Sequence, residues 1–475
     1  MIGEDDVVEW VYGQVVAAET QDRDMGSLEK AIDRATLEVR RRVLERLTRE
    51  AAAVEELGCP TCGRLLKVVD HRRRREVKSS FGPISYTRSY GLCPHCQKHY
   101  SPADVTLGLH ERAHLSPRLQ EICAVMTLRA PAAQAEDDVR RLSGMTIAGS
   151  TMHREARRQG ERTLTLRQKD EQLTETPEGE ALLATRAPEL PQHSTMVIEI
   201  DAWNIRERDH WGKTEARRKA GEEPERWHWV YTATVFRLDQ RSTKESGRPT
   251  IADRGYVATR RGLDRFKRQL YAEALQRGLR QAETVLILGD GAVWIWNLAD
   301  DKFRKARQRL DLYHVKEHLW TLAGELYGQA SPEAEAWVRP YLHWLDQRKN
   351  GALDVIARLE DLQLTLDAGD EERRSAIARE VAYLTEHRDR MDYKAAKRLG
   401  QPSGSGAVES TCSQYQRRFK QTGQFWSLAG DEALLALSTL HRNRRWHLLF
   451  PHDIETPSPR SARRAGNTDA TALRR

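Results

Sequence analysis

Two short apolar runs, Met196-Val197-Ile198-Glu199-Ile200-Asp201 and Val285-Leu286-Ile287-Leu288-Gly289-Asp290, each end in a carboxylate. A segment rich in β-forming residues over 228–236 and an amphipathic helical pattern over 263–278 lie between them. Short apolar runs that alternate with helices are typical of the buried strands of a mixed sheet. Small residues follow both acids, which leaves the two carboxylates accessible. We therefore predict one α/β unit over residues 191–316.

The chain after this unit changes to helical periodicity. Apolar stripes predict an all-helical block over residues 317–402. The small-residue loop Gly404-Ser405-Gly406-Ala407-Val408 then leads into a helix whose first turn presents Glu409, within a C-terminal part of the core over 403–450. Helical spacing places Arg417 and Lys420 on the face of Glu409. Residues 451–475, rich in Pro, Ser, Thr and Arg, are predicted to be a disordered tail.

Three carboxylates, those of Asp201, Asp290 and Glu409, are the ligand set that two-metal phosphoryl transfer requires. Hard oxygen ligands suit a pair of Mg²⁺ (or Mn²⁺) ions, which activate the attacking oxygen and stabilise the leaving oxygen. The competing interpretation is coincidence, because the chain has 70 acidic residues and any three can be selected.

Four of the six cysteines form two C-x-x-C pairs: Cys59, Cys62, Cys93 and Cys96. Two such pairs across a strand-rich spacer with a turn at Phe81-Gly82-Pro83 predict a tetrahedral thiolate site for structural Zn²⁺. The alternatives are disulfides, which a reducing compartment disfavours, or a redox pair, which needs only one C-x-x-C. We predict a zinc ribbon over residues 59–110.

The net charge of +7 over 475 residues is concentrated in one segment. Residues 59–99 contain nine basic side chains and two acidic ones, which gives +7 for this segment alone. A concentrated positive field indicates contact with a polyanion, although a solvated basic face is the usual explanation of a charge run. The predicted DNA contacts here are Arg72, Arg73, Arg74 and Arg75.

Helical patterns flank the predicted ribbon on both sides. Residues 1–58 are predicted to be helical, with Ser27 as a cap. Residues 111–169 are predicted to form three short helices with a turn at Ser143-Gly144, which indicates a helix-turn-helix DNA-binding region or another small helical bundle. The predicted DNA contacts of the third helix are Arg154, Arg157 and Arg158. Residues 170–190 are predicted to be a linker.

No apolar run reaches the length that a bilayer crossing needs, and the acidic start lacks the pattern of a signal peptide. We therefore expect a soluble protein of the cytoplasm, associated with the nucleoid and not with a membrane.

The segments around the three acids resemble the catalytic segments of DDE transposases, and most closely the Kra-four family of bacterial insertion sequences, a Mutator-like group. The similar segments are Val197–Trp203, Ile287–Trp296 and Gly404–Ser410. Asp311-Leu312-Tyr313-His314 matches the D-x-x-H signature of that group, and Arg418–Gly423 is similar to its basic stretch after the glutamate. Gln416 stands where some DDE groups have a lysine.

The resemblance implies a multidomain α+β protein with an RNase H-like core that an all-helical insertion interrupts. It implies that Asp201, Asp290 and Glu409 are metal ligands in a transposase that cleaves and transfers the strands of an insertion sequence. Asp311 and His314 would support catalysis, with Asp311 orienting His314, although a structural histidine is the alternative. Arg417, Arg418 and Lys420 would contact DNA.

The implied partners are the terminal inverted repeats and the target DNA, bound by a homodimer or a larger assembly. Two other functions compete with this one: an RNase H-like nuclease or resolvase that uses only water, and a domesticated DNA-binding regulator.

Overall fold

The computed structural model describes residues 4–17, 24–53, 58–110, 113–208, 212–223, 225–243, 249–367 and 369–451. The chain divides into two compact units, Met1–Ala156 and Arg157–Arg475. The tail that the sequence predicts to be disordered lies, beyond its first residue, outside the described residues. No described helix has both the length and the apolar character needed to cross a membrane.

The first unit combines helices with a small antiparallel sheet. Its elements are α1 (Glu4–Ala17), α2 (Met25–Ala52), β1 (Lys67–Ser79), β2 (Gly82–Leu92), β3 (His99–Tyr100), α3 (Pro102–Thr106), α4 (Pro117–Arg129), α5 (Ala132–Ser143) and the first turns of α6 (Gly149–Leu173). The predicted N-terminal helices are therefore present in the described residues. The cap of α2 is Asp24, whose carboxylate accepts the Ser27 backbone N–H at 3.2 Å, and not Ser27 itself.

Strands β1 and β2 form the predicted hairpin, and β3 pairs with β2 to complete the sheet. The turn falls at Ser80 and Phe81, at the start of the predicted position. Along the second half of β1, buried and exposed residues alternate strictly, because one face of the strand packs inward and the other faces solvent. This alternation separates the exposed Arg74 from the buried Arg75.

Helices α4, α5 and the start of α6 pack around one apolar cluster that includes Leu119, Ala135 and Met152. Gly144 ends α5 in the left-handed conformation (φ 68°), which glycine adopts without steric cost. The three predicted helices and their turn are thus present. The third is not short, because α6 runs for 25 residues into the segment predicted to be a linker.

The second unit contains a large sheet and a helical block. Its further elements are α7 (Pro177–Ala184), β4 (Thr195–Arg208), α8 (Thr214–Lys219), β5 (Glu225–Arg237), β6 (Arg241–Thr243), β7 (Pro249–Ile251), β8 (Gly255–Thr259), α9 (Leu263–Gln276), β9 (Thr284–Gly289), α10 (Val293–Lys302), β10 (Arg307–Leu310), α11 (Leu312–Tyr327), α12 (Pro332–Gln347), α13 (Gly351–Thr365), α14 (Glu371–Glu386), α15 (Tyr393–Arg398), α16 (Gly406–Phe419) and α17 (Leu428–Arg442).

The predicted linker over 170–190 is therefore largely helical. Leu183 of α7 is fully buried against Ala272 and Leu275 of α9. The prediction of a linker relied on the polar composition of this segment, but its few apolar residues are enough for one side of a short helix to be buried.

The large sheet has the strand order β10-β9-β4-β5-β8. Strand β5 pairs antiparallel with both β4 and β8, whereas β9 pairs in parallel with both β4 and β10. Ile198 and Ile200 of β4 contribute to the main core together with residues of α9 and α10, while Val197 packs on the other face with Phe236 and Leu288. The mixed sheet confirms the α+β expectation for this part of the chain.

All regular structure that the model describes between residues 317 and 402 is helical, as predicted. Val338, Tyr341 and Leu345 of α12 are buried in the core, so the aromatic stripe serves packing. The two tryptophans after Asp290 also pack: Trp296 is buried, and the Trp294 ring stands edge-on to Tyr231 at 5.1 Å.

Candidate functional site

The first two predicted acids lie side by side on the sheet. Strand β4 pairs in parallel with β9, with Glu199 opposite Leu288. Continuing this register by two residues places Asp201 opposite Asp290, just after the end of β9. Adjacent strands lie about 4.8 Å apart, so the register brings the two carboxylates, 89 positions apart in sequence, side by side at the end of β9. Asp201 itself lies within β4, which continues to Arg208, and not at a strand end as predicted.

The environment of Asp201 is that of a partly buried acid beside another acid. Burial raises the pKa of Asp201, a hydrogen bond with Cys412 and the Ala202 backbone N–H lower it, and the charge of Asp290 raises it again; the net shift is upward. Cys412 lies on α16, so this contact also places that helix against β4. Burial and the neighbouring charge of Asp290 therefore both disfavour the anionic form of Asp201.

Glu409 lies on the first turn of α16. The Ser405 hydroxyl donates to Glu409 Oε1 at 3.0 Å, and the Ser405 backbone N–H donates to Asp311 Oδ2 at 2.8 Å. The pKa of Glu409 is raised, chiefly by burial and also by the charges of Asp311 and Asp201. The third predicted acid therefore lies within electrostatic range of the first, with Asp311 as a fourth acid beside it.

Glu199 is a residue of this site that the sequence analysis did not assign. Its buried carboxylate accepts the backbone N–H groups of Ala407 at 2.8 Å and Val408 at 2.9 Å. Both donors belong to the first turn of α16, where the helix dipole also favours an anion, and the Val408 N–H is shared with the Ser405 carbonyl at 3.0 Å. Burial raises the pKa of Glu199 to about 8, against the effect of these two donors. The sequence feature that could have identified Glu199 is its position as an acid inside the otherwise apolar run of β4.

Asp311 and His314 occupy the start of α11. The Asp311 carboxylate caps this helix by accepting the Tyr313 backbone N–H at 2.6 Å, and it also accepts the Ser405 donors. Its contact with His314 is to the backbone N–H at 3.4 Å, whereas the His314 ring Nδ1 lies 3.6 Å from Glu317. Asp311 is thus placed to hold the loop before Glu409, and not to orient the His314 ring as predicted.

A second histidine, His318, takes part in a contact between the helical block and the Asp290 loop. His318 Nδ1 lies 2.8 Å from Glu380, and its ring stacks on Tyr383 with ring centroids 4.0 Å apart. The Tyr383 hydroxyl donates to the backbone carbonyl of Asp290 at 3.1 Å. The helical block thus braces the loop that carries Asp290, a contact between distant segments that no local pattern predicts.

The basic residues after Glu409 divide by burial. Arg417 is exposed, as a DNA contact requires. Lys420 is half-buried and donates to Asn204 Oδ1 at 2.8 Å. Arg418 is buried with its guanidinium 5.3 Å from the Trp426 ring centroid, and burial lowers its pKa to about 10. Arg418 therefore has an interior position, unlike the exposed one predicted for it.

The four predicted zinc ligands come together in the first unit. The Sγ atoms of Cys59, Cys62, Cys93 and Cys96 all lie within 4.8 Å of one another. Each pair sits in a tight turn in which the first cysteine's carbonyl accepts a backbone N–H, from Gly63 at 2.9 Å and from Gln97 at 3.0 Å. Both of these residues have positive φ. The donor set and its spacing fit a tetrahedral thiolate site such as that of zinc.

The arginine run of β1 is only partly at the surface. Arg72, Arg73 and Arg74 are exposed, and Arg73 lies 4.1 Å from the Tyr90 ring centroid. Arg75 is buried, forms an ion pair with Asp104 and donates to the carbonyls of His110 and Ala113 at 2.8 Å. Arg75 therefore stabilises the ribbon from inside and does not occupy the exposed position predicted for a DNA contact.

The basic residues predicted on α6 differ in exposure. Arg154 is exposed and donates to the Thr151 hydroxyl at 3.3 Å. Arg157 is exposed and pairs with Glu161 at 2.9 Å, while Arg158 is half-buried. Arg154 therefore presents its charge to solvent, whereas Arg157 shares its charge with Glu161.

The cluster of Asp201, Asp290 and Glu409, with Asp311 beside it, is called the acidic pocket below. It differs from the thiolate site in how closely its ligand atoms approach one another. Among the described residues, the four cysteines are the group of potential ligands whose atoms all lie within 4.8 Å of one another. Asp201, Asp290 and Glu409 converge less tightly. Their carboxylate oxygens nevertheless suit a hard divalent cation by type. Burial, and after it the charges of neighbouring acids, raises the pKa values of Asp201 and Glu409, and a bound cation would oppose both effects.

Fold and site together define an α+β protein with a four-cysteine cluster in one unit and an acidic pocket at the sheet of the other. Residues 240–445 match the profile of an uncharacterised protein family, UPF0236. A protein of Streptococcus gallolyticus described as a UPF0236 protein in the vanSb 3′ region is 23% identical over 395 residues, which cover 80% of this chain and 76% of that protein. The matched segment contains Asp290, Asp311, His314 and Glu409, whereas Asp201 and the four cysteines precede it.

Proposed function

We propose that this chain is a DNA transposase of the DDE type, which cleaves the ends of an insertion sequence and transfers them to a target duplex. The observation that supports this most directly is the parallel register of β4 and β9, which sets Asp201 beside Asp290. The helix that bears Glu409 is held against the same strand through Glu199.

The order of elements also supports an RNase H-like core, the fold that the resemblance implies. In the large sheet, the antiparallel strands β4, β5 and β8 are followed in the chain by β9 and β10, which run parallel to β4. Strands β4 and β9 lie side by side in the sheet. A helical block separates the second acid from the third, in agreement with the implied insertion.

In the proposed reaction Asp201, Asp290 and Glu409 would hold Mg²⁺ or Mn²⁺. Such ions neutralise charge at the phosphate and activate the attacking oxygen when bound. The protein's own contribution is positioning: Ser405 and Asp311 hold the loop before Glu409, Glu199 holds the start of its helix, and Tyr383 holds the backbone at Asp290.

The first unit supplies features suited to double-stranded DNA. A metal-bound ribbon would present Arg72, Arg73 and Arg74 to phosphates. Helix α6 would be the second helix of a helix-turn-helix, and its first turns would present Arg154 to DNA. We propose that these elements bind the terminal inverted repeats within a homodimer or larger assembly, at the nucleoid.

The decisive experiment uses DNA carrying the inverted repeats that flank the gene. The wild-type chain should nick these ends with Mg²⁺ and join the 3′-OH to a target duplex, and Asp290→Asn should abolish both reactions with DNA binding retained. Asp301→Asn, which changes an exposed acid on α10, should leave them unchanged.

Each other result identifies a different function. Equal cleavage by the Asp290→Asn variant would refute the assignment of the pocket. Metal-dependent cleavage without joining would make the protein a nuclease or resolvase, and specific binding without any turnover would make it a regulator.

A further inference from the structure

Two tryptophans on β5 are far more exposed than is usual for this residue type. Trp227 is 56% exposed and Trp229 is 58% exposed. They lie two positions apart on one strand, so they share a face of the sheet. The next residue on that face, Tyr231, packs against Phe266 at 5.7 Å and Trp294 at 5.1 Å. The exposed pair therefore continues an aromatic row that begins next to the Asp290 loop.

Cationic side chains lie next to Trp227. The Arg206 guanidinium lies 5.9 Å from the Trp227 ring centroid and 4.9 Å from that of Phe425. Lys420 Nζ lies 5.6 Å from the Trp227 ring centroid. Arg206, Arg208 and Arg218 all pair with a single acid, Glu225, so this end of the β4–β5 hairpin keeps a net positive charge.

We propose that Trp227 and Trp229 form a stacking platform for unpaired DNA bases next to the acidic pocket. Residues two apart on a strand are separated by about 6.8 Å, which is twice the 3.4 Å base repeat of a DNA strand. One base can therefore insert between the two indole rings. Stacking of this kind accepts any base, because every base has a π-face.

The position of the platform connects it to the proposed chemistry. Trp229 pairs with Asn204, three residues beyond Asp201 on β4, which is about 10 Å along the strand. The platform lies on the opposite face of the hairpin from Asp201. Because β9 ends at Gly289, the sheet narrows to β4 and β5 here, and the path between the two faces is short. This inference depends on the proposed function in one respect, which is that the ligand is taken to be DNA near its cleavage point.

Charge complementarity favours nucleic acid over a protein partner at this surface. A phosphate backbone would pair with the positive charges of Arg206 and Arg208 at the border of this surface, whereas an apolar protein contact would not use those charges. Arg208 also lies 3.6 Å from the Phe425 ring centroid, which holds a cation beside the platform.

The test measures binding of fluorescein-labelled oligonucleotides to the full chain, without divalent metal. The substrates are a fully paired duplex, a forked duplex with unpaired bases at one end, and the same fork with abasic sites at those positions. The Trp227→Ala/Trp229→Ala variant should bind the fork about tenfold or more weaker and the duplex as tightly as wild type. Trp229→Phe should retain most of the preference for the fork.

Trp320→Ala is the matched control, since Trp320 is also exposed but lies on α11. The proposal is overturned if the double variant keeps the preference for the fork, if wild type binds the abasic fork as tightly as the normal one, or if the double variant changes only the oligomeric state, which would indicate a protein contact. If the double variant loses fork binding but the wild-type chain shows no metal-dependent cleavage, the platform is retained and the transposase function is rejected.

Discussion

Glu199 is the residue on which the placement of the third acid depends. Its carboxylate joins the central strand to the start of α16 across 208 positions of sequence. Truncation of this side chain would take the acceptor from the Ala407 N–H, whereas the Val408 N–H would keep the Ser405 carbonyl at 3.0 Å. A buried unsatisfied donor costs about 1–3 kcal/mol. The arrangement fixes the helix start close to the sheet and so fixes Glu409.

We expect Glu199→Ala to lower the free energy of unfolding by about 2 kcal/mol and to reduce metal-dependent cleavage more than DNA binding. Glu199→Gln keeps one acceptor oxygen and should fall between Ala and wild type. Urea denaturation and single-turnover cleavage measure the two effects. Glu333→Ala, at an exposed acid on α12, is the control, and equal behaviour of Glu199→Ala and wild type would contradict the positioning role.

A second buried acid gives the second unit a specific pH dependence. Asp431 on α17 is fully buried beside Glu207, which pairs with Arg260. Burial raises the pKa of Asp431 to about 9, and the charge of Glu207 contributes to the rise. The protonated Asp431 carboxyl can donate to Glu207, so the pair holds α17 against the end of β4 while that proton is present.

The sign of this linkage follows from the two states of Asp431. Unfolded, it loses its proton near its ordinary value of 3.8, whereas in the fold it keeps the proton up to about 9. Its stabilising contribution is therefore complete below the unfolded pKa and is lost as pH rises through the folded pKa. Asp431→Asn, whose amide donates at every pH, should lose less stability between about pH 6 and about pH 9 than wild type.

Denaturant unfolding at several pH values checks this expectation. Asp354→Asn on α13 is the control for the change of charge, and it should follow the wild-type pH profile. A parallel decline of stability in Asp431→Asn and wild type would show that other groups determine the alkaline limit.

At the scale of elements, the ribbon illustrates how a strand assigns different roles to adjacent identical residues. Arg74 and Arg75 are neighbours in sequence, but the strand turns one outward and buries the other against Asp104. Four arginines in a row contain no periodicity, so the sequence could not show which of them faces solvent. The same limit applies to Arg418, whose burial depends on Trp426 from the following loop.

The thiolate cluster predicts that the ribbon needs a metal to fold. We expect one Zn²⁺ per chain by elemental analysis, and Cys93→Ser should remove it together with the slow hydrogen exchange of β1 and β2. Site formation stabilises such modules by about 10 kcal/mol or more. Cys123→Ala changes a cysteine of the α4–α6 cluster and should keep the metal. Zinc-free wild-type protein with a protected hairpin would disprove the structural role.

At the scale of the whole molecule, the division into two units suggests a division of labour. The exposed arginines of β1 belong to the first unit, and the acidic pocket belongs to the second. In the proposed transposase, affinity for DNA and chemistry on DNA should therefore respond to different substitutions.

The triple variant Arg72→Ala/Arg73→Ala/Arg74→Ala should bind DNA more weakly, with the slope of log affinity against log salt reduced by about 2 to 3. Cleavage at saturating DNA should change little. Fluorescence anisotropy over a salt series measures the slope. Arg42→Ala/Arg46→Ala/Arg49→Ala removes the same charge from exposed sites on α2, and an equal effect of both triples would mean that only net charge matters.

The sequence by itself determined the features whose cause is local. Apolar runs specified β4 and β9, helical stripes specified the block between the second and third acids, and C-x-x-C spacing specified the thiolate cluster, because backbone periodicity and metal geometry act over a few residues. It also placed Asp290 just after a strand and Glu409 in a first helical turn, whereas Asp201, predicted at a strand end, lies within β4.

Only the tertiary structure decided which side chains meet. The β4–β9 register, the capture of α16 by Glu199, the brace from Tyr383 to the Asp290 loop and the burial of Arg75 and Arg418 each join segments distant in the chain. The supposed linker became a helix for the same reason, since α9 supplied the apolar surface that α7 needed. Burial depends on the partner surface, and a single segment does not encode its partner.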